Sequence, residues 1–340
     1  MLLGRCRASL QCGGNLIGLV IRRMNWQPLS ARTALVYALD RGLLPDGALT
    51  DPSLLVRARY GRNSVFVIET THSSICLKQD RQGKGGAGAL AREAELLGLL
   101  AGSGLTVRAQ TWDADLGVLC LETLPADTNV DAYGPEAEAD LACVLQALHA
   151  QPAPSGYNAV LPPLTDRRFW EDIAHRAPLF DELARRDEDL KINCLTATRF
   201  FKSSAFIHGD AKMLNGMRDA HGRMVLIDLE LAGGGEPIWD LACLVADVLA
   251  LQFASAPVGT TQAALTQRAT ERARAVCTAY APGTGLDATA AGTMIALACL
   301  SAAHAHLADS EVLTRGALVL MQLGQNGMRD PAVLWNALHA

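Results

Sequence analysis

The spacing of apolar residues changes near residue 125 of this chain, and that change limits the folds it can adopt. Between residues 54 and 122, apolar and polar residues alternate in short runs separated by turn-forming residues, which is typical of an antiparallel sheet. Beyond residue 125, apolar residues recur mainly at helical spacing. A chain of 340 residues is long enough for two lobes that each bury a core. The sequence therefore predicts an α+β protein, with a small mixed lobe at residues 24–124 and a mainly helical lobe at residues 125–340.

Local signals define the elements expected in the first lobe. Ser30 is a suitable N-cap for a helix whose end is marked by Gly42 and Pro45. The patterns then predict strands at 54–60, 65–70 and 74–78, a helix at 89–100, and strands at 108–112 and 117–122. We therefore expect a small antiparallel sheet accompanied by a helix.

Helices dominate the second lobe, except for one segment at residues 206–240. A polar connector at 124–129 precedes this lobe. Helical spacing predicts helices at 136–150, 169–185, 190–201, 239–251, 262–280, 286–307 and 310–323. The exceptional segment is therefore the place to look for chemistry.

Three polar side chains lie close in sequence within that segment. Residues 206–207 and 224–228 are candidates for short strands, and a turn is expected at 219–222 between them. This pattern predicts one compact, hairpin-like unit that carries Asp210, Asn215 and Asp228. Carboxylate and amide oxygens suit Mg²⁺, which keeps water ligands and shares phosphate oxygens. A further acid in such a site could accept the proton of a nucleophile during phosphoryl transfer.

Three ordered motifs in this segment resemble a known family. The sequence HGDAKMLN begins at His208, LIDLE occupies 226–230, and EPIWDLA occupies 236–242. Together they resemble the aminoglycoside phosphotransferase and choline kinase family, whose members are related to the protein kinases. The resemblance implies a two-lobed, protein kinase-like fold and Mg²⁺-dependent transfer of phosphate from ATP, or alternatively GTP.

The resemblance also implies a role for each motif residue. Asp210 would be the base that orients the acceptor hydroxyl, and Asn215 and Asp228 would bind the metal. His208 and Asp240 would support the loop without touching substrate. Lys212 stands where antibiotic kinases often have histidine and protein kinases have lysine. It could neutralise charge on the transferred phosphoryl group, although a solvated loop lysine is an equal alternative.

Residues of the first lobe match the nucleotide site that the resemblance implies. Lys78 at the end of a strand would pair with phosphates, and Glu93 on the following helix would be its partner, with Glu95 as the rival. The remaining positions implied for the nucleotide are the hairpin residues Gly61, Asn63 and Ser64, the adenine-lining Cys76, and the hinge Glu122, Thr123 and Leu124.

A glycine-rich stretch offers a different interpretation. Gly83, Gly85 and Gly88 match the spacing G-x-G-x-x-G and precede a helix, which is one signal of an NAD-binding oxidoreductase. That fold requires glycine directly after the first strand of a parallel sheet, whereas the polar residues 79–82 intervene here. We therefore interpret the stretch as a mobile link between the Lys78 strand and the Glu93 helix.

Composition restricts the partners and the cellular compartment. The net charge of −5 is spread along the chain without a basic stripe, so no nucleic-acid partner is expected. The nine cysteines are scattered without a C-x-x-C pair, which favours reduced thiols in the cytoplasm. No uninterrupted apolar run reaches the roughly 18 to 20 residues of a membrane span. Residues 1–23 are expected to be a disordered extension or to precede the true start.

The favoured function is therefore phosphorylation of a hydroxyl on a small molecule. A kinase that acts on a protein or peptide is the first alternative, although no A-P-E-like segment follows Asp228. A catalytically silent nucleotide-binding scaffold is disfavoured because each expected catalytic position is filled. The acids considered for acceptor binding are Asp166, Glu171, Asp172, Asp181 and Glu182.

Overall fold

The protein is represented by a computed structural model that describes residues 27–81, 88–125, 134–255, 257, 259–280, 286–308 and 314–339. The expected extension at 1–23 and the glycine-rich positions 83–87 lie outside the described residues. The chain divides into two compact units. The first contains the chain up to Ala94 together with Arg108–Thr123, and the second contains Glu95–Val107 and Leu124–Ala340.

The first unit is built on an antiparallel sheet of five strands in the order β1-β2-β3-β5-β4. Its elements in chain order are α1 (Ala31–Asp40), β1 (Leu55–Tyr60), β2 (Asn63–Glu69), β3 (Ser74–Asp80), the start of α2 (Ala89–Leu99), β4 (Ala109–Asp113) and β5 (Val118–Glu122). These elements match the alternating pattern of the sequence closely. Every pairing in the sheet is antiparallel, which contradicts the parallel sheet that a dinucleotide-binding oxidoreductase requires.

Helix α1 begins at the expected cap and packs on the sheet. The Ser30 hydroxyl accepts a hydrogen bond from the Thr33 amide, and the Thr33 hydroxyl accepts one from the Ser30 amide, which together form a capping box. Tyr37 on the buried face of α1 donates a hydrogen bond to Asp113 of β4 at 3.2 Å. Helix α1 is thereby joined to β4, an edge strand of the sheet.

The β1–β2 turn is shorter than the sequence pattern predicts. Strand β2 begins at Asn63, so only Gly61 and Arg62 separate the two strands. Ser64 pairs with Tyr60 and is buried because it shares the inward face of β2 with Phe66, two residues further on. Asn63 and Ser64 are therefore strand residues instead of loop residues.

Helices form most of the second unit. They are α3 (Pro135–His149), α4 (Arg167–Arg176), α5 (Pro178–Arg185), α6 (Leu190–Thr196), α7 (Pro237–Ala254), α8 (Gln262–Tyr280), α9 (Ala288–Ala308), α10 (Arg315–Arg329) and α11 (Pro331–His339). Two of them, α7 and α9, have the length and the apolar composition that a membrane-spanning helix needs. Most of each helix is buried inside this unit, as in the core helices of a globular protein.

Two expected helices are interrupted in the structure. The helix predicted at 169–185 divides at Ala177, because Pro178 lacks an amide hydrogen and starts a new helix as its first residue. The helix predicted at 190–201 tightens into a 3₁₀ turn at Ala197–Phe200. Residues 310–313 of the last predicted helix lie outside the described residues, and α10 extends beyond its predicted end.

The non-helical segment contains two small strand pairs instead of the expected single hairpin. Strand β6 (Ala205–Ile207) pairs with β9 (Gly233–Gly235), whereas β7 (Gly216–Arg218) pairs with β8 (Met224–Leu226) around the turn at Asp219. The prediction that 206–207 and 224–228 pair with each other is therefore wrong. A Cβ atom at Gly235 would overlap the Ile207 side chain of β6, and one at Gly234 would overlap the Ser203 hydroxyl oxygen.

Strand β8 has a second neighbour from much earlier in the chain. The amide of Val107 donates to the carbonyl of Leu226 at 3.0 Å, and the amide of Leu226 donates to the carbonyl of Leu105 at 2.8 Å. These bonds explain why residues 95–107 belong to the second compact unit, although the sequence pattern assigns them to the first lobe.

Candidate active site

Lys78 and Glu93 form a buried ion pair in the first unit. The Lys78 ammonium lies 2.7 Å from Oε2 of Glu93, and the two side chains are 9% and 0% exposed. Lys78 is held near the end of β3, and Glu93 lies on the second turn of α2. Glu95, the rival candidate from the sequence, is exposed. The structure therefore distinguishes the two glutamates.

The exposed part of the expected nucleotide-binding residues in the β1–β2 hairpin is mainly backbone. Gly61 is exposed in the turn, and its amide donates to the carbonyl of Asn63 at 3.0 Å. Asn63 is half-buried and Ser64 is 1% exposed. Of these expected nucleotide contacts, the Gly61 backbone is accessible, whereas the Ser64 hydroxyl faces inward.

Cys76 and the end of β5 occupy neighbouring parts of the same sheet. Cys76 pairs with Leu121 of β5, and burial raises the pKa of its thiol to about 12. The Glu122 carboxylate accepts a hydrogen bond from the Arg108 amide at 2.8 Å, and the Thr123 hydroxyl donates to the Ser74 hydroxyl at 2.6 Å. Leu124, the last residue of the expected hinge, is half-buried and begins the next segment of the second unit.

Asp240 holds the backbone of the loop that carries Asp210. Asp240 is completely buried in the first turn of α7. Its two carboxylate oxygens accept hydrogen bonds from the amides of His208 at 2.6 Å and Gly209 at 2.8 Å. The loop is therefore fixed directly before Asp210, as expected for a supporting residue.

Gly209 is required at its position for steric reasons. Its φ angle is +83°, in the left-handed region that side chains disfavour. A Cβ atom at this position would overlap the backbone carbonyl of Leu231. The Gly209 carbonyl also accepts a hydrogen bond from the indole of Trp239 at 3.1 Å. Leu231 therefore occupies the space that a side chain at position 209 would need.

The His208 ring joins this loop to the segment that precedes Asp228. Its Nε2 atom lies 2.8 Å from the carbonyl oxygen of Ile227, and its Nδ1 atom accepts a hydrogen bond from the Asp210 amide at 3.3 Å. The ring is fully buried. His208 thus fixes the distance between the backbones that carry the two aspartates.

Asn215 lies in a 3₁₀ turn, Met213–Asn215, and contacts the same two segments. Its side-chain amide nitrogen donates to the carbonyl of Asp210 at 2.8 Å and to the Asp210 carboxylate at 3.2 Å. Its backbone carbonyl accepts a hydrogen bond from the Ile227 amide at 2.9 Å. Asn215 is therefore oriented by both neighbours, and Asp228 follows Ile227 directly.

Asp228 has an unusual backbone conformation. It is the only residue other than glycine with positive φ in the described part of the chain, at φ 65° and ψ 60°. Such a conformation costs about 1–3 kcal/mol and is concentrated at functional sites. It lies in the two-residue link between the end of β8 at Leu226 and the 3₁₀ turn Leu229–Leu231.

Lys212 is paired with the candidate base itself. Its ammonium lies 2.6 Å from Oδ2 of Asp210, and the two side chains are 37% and 36% exposed. Burial disfavours the charge of Lys212, but the nearby carboxylates outweigh burial and raise its pKa above the usual value. These carboxylates belong to Asp210, Asp228 and Asp247. Lys212 is therefore partly exposed and ion-paired with Asp210.

Sequence reasoning missed two residues of this environment. Asp247 on α7 accepts a hydrogen bond from the Met213 amide at 2.8 Å. Tyr280 at the end of α8 contacts the Nδ1 atom of His149 through its hydroxyl, and the other ring nitrogen of His149 lies 2.8 Å from Asp240. Asp247 lies two helical turns after Asp240, which places both acids on the same side of α7. That spacing is the sequence signal that could have identified Asp247.

The donor set fits a divalent cation that keeps other ligands. In the described residues, no group of three or more histidine, cysteine, aspartate or glutamate side chains is arranged to hold a metal ion alone. The amide nitrogen of Asn215 faces Asp210, which leaves the amide oxygen as the donor directed elsewhere. A single amide oxygen with the Asp228 carboxylate suits Mg²⁺ that shares phosphate oxygens.

The acids considered for acceptor binding are engaged with other groups. Glu171, Asp172, Asp181 and Glu182 each pair with an arginine four residues away in the chain, on α4, on α5 or at the C-cap of α5. Asp166 caps α4 through a hydrogen bond from the Arg168 amide at 2.9 Å. This surface therefore carries balanced charge and does not form an acidic patch.

Solved structures of three kinases resemble the chain over most of its length. The choline kinase of Streptococcus pneumoniae is 17% identical, with a TM-score of 0.55 over 87% of this chain and 99% of its own. The ethanolamine kinase of Plasmodium vivax is 11% identical, with a TM-score of 0.55 over 95% of both chains. An ADP-bound aminoglycoside phosphotransferase is 15% identical, with a TM-score of 0.51 over 84% of this chain and 99% of its own. At these identities the similarity concerns the fold, and it confirms the expected protein kinase-like α+β fold.

Sequence comparison assigns the family. No curated protein sequence is significantly similar to this chain. The model of the phosphotransferase enzyme family, abbreviated APH, matches residues 58–276, a range that contains every candidate site residue from Gly61 to Asp228. The resemblance expected from the motifs is thereby confirmed. The chain belongs to the phosphotransferase enzyme family, and it is an enzyme that transfers a phosphoryl group to an alcohol group.

Proposed function

We propose that the protein transfers the γ-phosphate of ATP, or alternatively GTP, to a hydroxyl group of a small molecule with Mg²⁺ as cofactor. The observation that carries the proposal is the Asp240 carboxylate, which fixes the His208 and Gly209 backbone directly before a partly exposed Asp210. A loop that is rigid up to its acid can hold the acceptor oxygen in line with the phosphorus.

In this proposal, each charged group has one task. Asp210 accepts the proton of the acceptor hydroxyl while its oxygen forms a bond to the γ-phosphorus, the bond to the β–γ bridging oxygen breaks, and the nucleoside diphosphate leaves. Asn215 and Asp228 would hold Mg²⁺, which would supply positive charge to stabilise the phosphates. Lys78, oriented by Glu93, binds phosphate oxygens.

Lys212 and the remaining residues expected to contact the nucleotide have separate proposed roles. Lys212 stabilises negative charge that develops on the transferred group, since its raised pKa keeps it protonated at neutral pH. The Gly61 backbone would lie on the phosphates, Cys76 would contact the base, and the backbone of 122–124 would pair with the edge of the base.

The names of the structural neighbours favour a small acceptor. They are described as kinases of choline and of ethanolamine and as an aminoglycoside phosphotransferase. We therefore place small amino alcohols and aminoglycosides first among the acceptors to be tested. We also propose a cytoplasmic location, because the seven cysteines in the described part of the chain are free thiols and ATP is available there.

Ligand-dependent thermal unfolding provides the first test. Mg-ATP or Mg-GTP should raise the unfolding temperature, because a ligand that binds only the folded state stabilises it, and NAD should not. The stabilising nucleotide is then supplied with radiolabelled γ-phosphate to a panel of small hydroxyl compounds and, separately, to proteins. Stabilisation by NAD alone, or label transferred only to proteins, would contradict the proposal.

A further inference from the structure

Asp247 occupies a specific position behind the site. It lies on α7, is half-buried, and accepts a hydrogen bond from the Met213 amide at 2.8 Å through Oδ2. That amide is the first of the 3₁₀ turn Met213–Asn215, and the preceding residue, Lys212, makes no side-chain cap to the turn. Asp247 therefore serves as the cap from a distant helix.

The turn that Asp247 caps is also held at its other end. The Ile227 amide donates to the Asn215 carbonyl at 2.9 Å, and the Asn215 side chain donates to the Asp210 carbonyl at 2.8 Å. Asp247 fixes the beginning of the turn, whereas these two bonds fix its last residue. With the cap removed, the turn would be free to pivot about Asn215.

Stability alone does not favour an aspartate at this position. Burial raises the pKa of Asp247, so keeping its charge in the site costs free energy. The like charge of Asp210 adds to that cost, whereas the Met213 amide, Lys212 and His306 reduce it. An apolar residue at this position of α7 would avoid the cost of burying a charge. The hydrogen bond to the Met213 amide therefore explains the carboxylate better than stability does.

We propose that Asp247 is a positioning residue for the metal ligand Asn215. Its hydrogen bond to the Met213 amide holds the turn so that the Asn215 amide oxygen stays directed to the cation. The inference rests on the proposed function, because it assumes that Asn215 binds Mg²⁺. Removing a group that orients a metal ligand typically lowers metal affinity by about 10–100-fold.

Metal affinity measured without turnover tests this role. Mn²⁺ replaces Mg²⁺, and free Mn²⁺ is counted by electron paramagnetic resonance in the presence of saturating ADP. The same protein is titrated with ADP in EDTA, and its thermal unfolding is recorded without metal. The variants are Asp247→Ala, which removes the acceptor oxygen, and Asp247→Asn, which keeps an acceptor oxygen without the charge.

A matched control is available in the same unit. Glu138 is 2% exposed and forms two hydrogen bonds with Arg272 of α8. Glu138→Gln therefore perturbs a hydrogen-bonded, buried carboxylate that the proposed site does not use. It should lower the unfolding temperature and leave Mn²⁺ affinity within about twofold of the parent.

The expected result is a selective loss of metal affinity. Asp247→Ala should weaken Mn²⁺ binding about tenfold or more and leave ADP binding in EDTA unchanged, whereas Asp247→Asn should remain within about threefold of the parent. If the alanine variant does not fold, Asp247→Ser replaces it, because the shorter hydroxyl does not reach the Met213 amide. Parent-like Mn²⁺ affinity in the folded alanine or serine variant, or an equal loss in Asp247→Asn, would overturn the inference. A parent protein that binds no Mn²⁺ with ADP would instead contradict the proposed function.

Discussion

The ammonium of Lys212 lies 2.6 Å from the carboxylate of Asp210, so the candidate base and the candidate charge-stabilising group are paired. Since Lys212 also faces Asp228, its removal would leave the carboxylates without their shared cation. We expect Lys212→Met to slow phosphoryl transfer by about 100-fold or more, which is typical of losing one stabilising donor. Initial rates of product formation would measure this loss.

The control for that variant is Lys202→Met. It removes an exposed lysine that precedes β6, the strand that leads into the Asp210 loop. It should leave the rate within about twofold, as is usual for exposed surface substitutions. Equal rates in Lys212→Met and the parent would support the alternative of a solvated loop lysine.

Asp210→Asn should separate chemistry from nucleotide binding. The amide cannot accept the hydroxyl proton, so we expect the transfer rate to fall by about 10²–10⁴-fold. Nucleotide binding should change little, because Lys78 and the hairpin belong to the first unit and are not altered. Calorimetric titration with the nucleotide and a transfer assay would be performed on the same preparation. A variant that transfers phosphate as fast as the parent would contradict the role of Asp210.

The buried pair of Lys78 and Glu93 should matter for both stability and binding. Lys78→Met removes the cation beside a carboxylate that is 0% exposed, and losing one partner of a buried pair typically costs about 3–5 kcal/mol. Chemical unfolding and nucleotide titration would report the two effects. Arg57→Met is the control, because it breaks an exposed strand pair with Glu69 and should cost less than about 1 kcal/mol. Similar losses in the two variants would argue against a special role for Lys78.

Gly209→Ala should disable the loop for steric reasons. The new Cβ would overlap the Leu231 carbonyl, so we expect a lower unfolding temperature and nearly complete loss of transfer. Gly222→Ala provides a matched test of backbone strain alone, since its φ angle is +76° and no heavy atom lies within 4 Å of the added group. That control should lose only about 1–2 kcal/mol and retain activity. A fully active Gly209→Ala enzyme would show that the loop does not need its present backbone.

Cysteine labelling at pH 8 should distinguish Cys76 from Cys143. Burial raises the pKa of the Cys76 thiol to about 12, so it is almost entirely protonated at pH 8, and only the thiolate reacts quickly. Cys143 is exposed. Iodoacetamide should therefore label Cys143 first in the folded protein and both residues after unfolding in urea, as followed by mass spectrometry. Equal rates in the folded protein would contradict the environment described for Cys76.

Much of the fold and site could be predicted because local patterns encode them. Strand alternation placed β3 and β5, and the capping residue Ser30 marked the start of α1. Physical chemistry is local in these two cases, so the sequence is sufficient. The role of Asp240 in supporting the His208 loop was expected from the resemblance of the motifs to a known family, because the bond between them spans 32 positions.

The remaining features depend on contacts between distant parts of the chain. Asp247 contacts Met213 across 34 positions, and a single acid on an apolar helix gives no local sign of such a bond. Strand β9 consists of three glycines, which have weak strand preference but permit close approach to β6. Ser64 was assigned to a loop because its polarity hid its place on the buried face of β2.

The hydrogen bonds that Leu226 makes with Leu105 and Val107 affect how the protein can be dissected. A fragment that starts at the connector near residue 124 would contain Asp210, Asn215 and Asp228 but would lack the backbone partners of Leu226. An edge strand would then be exposed beside the segment that carries the proposed metal ligands, and such edges promote aggregation. Separate expression of the helical part should therefore retain residues 95–107, for example by circular permutation. Because residues 105–107 and Leu226 are far apart in the sequence, we expect these hydrogen bonds to form late during folding.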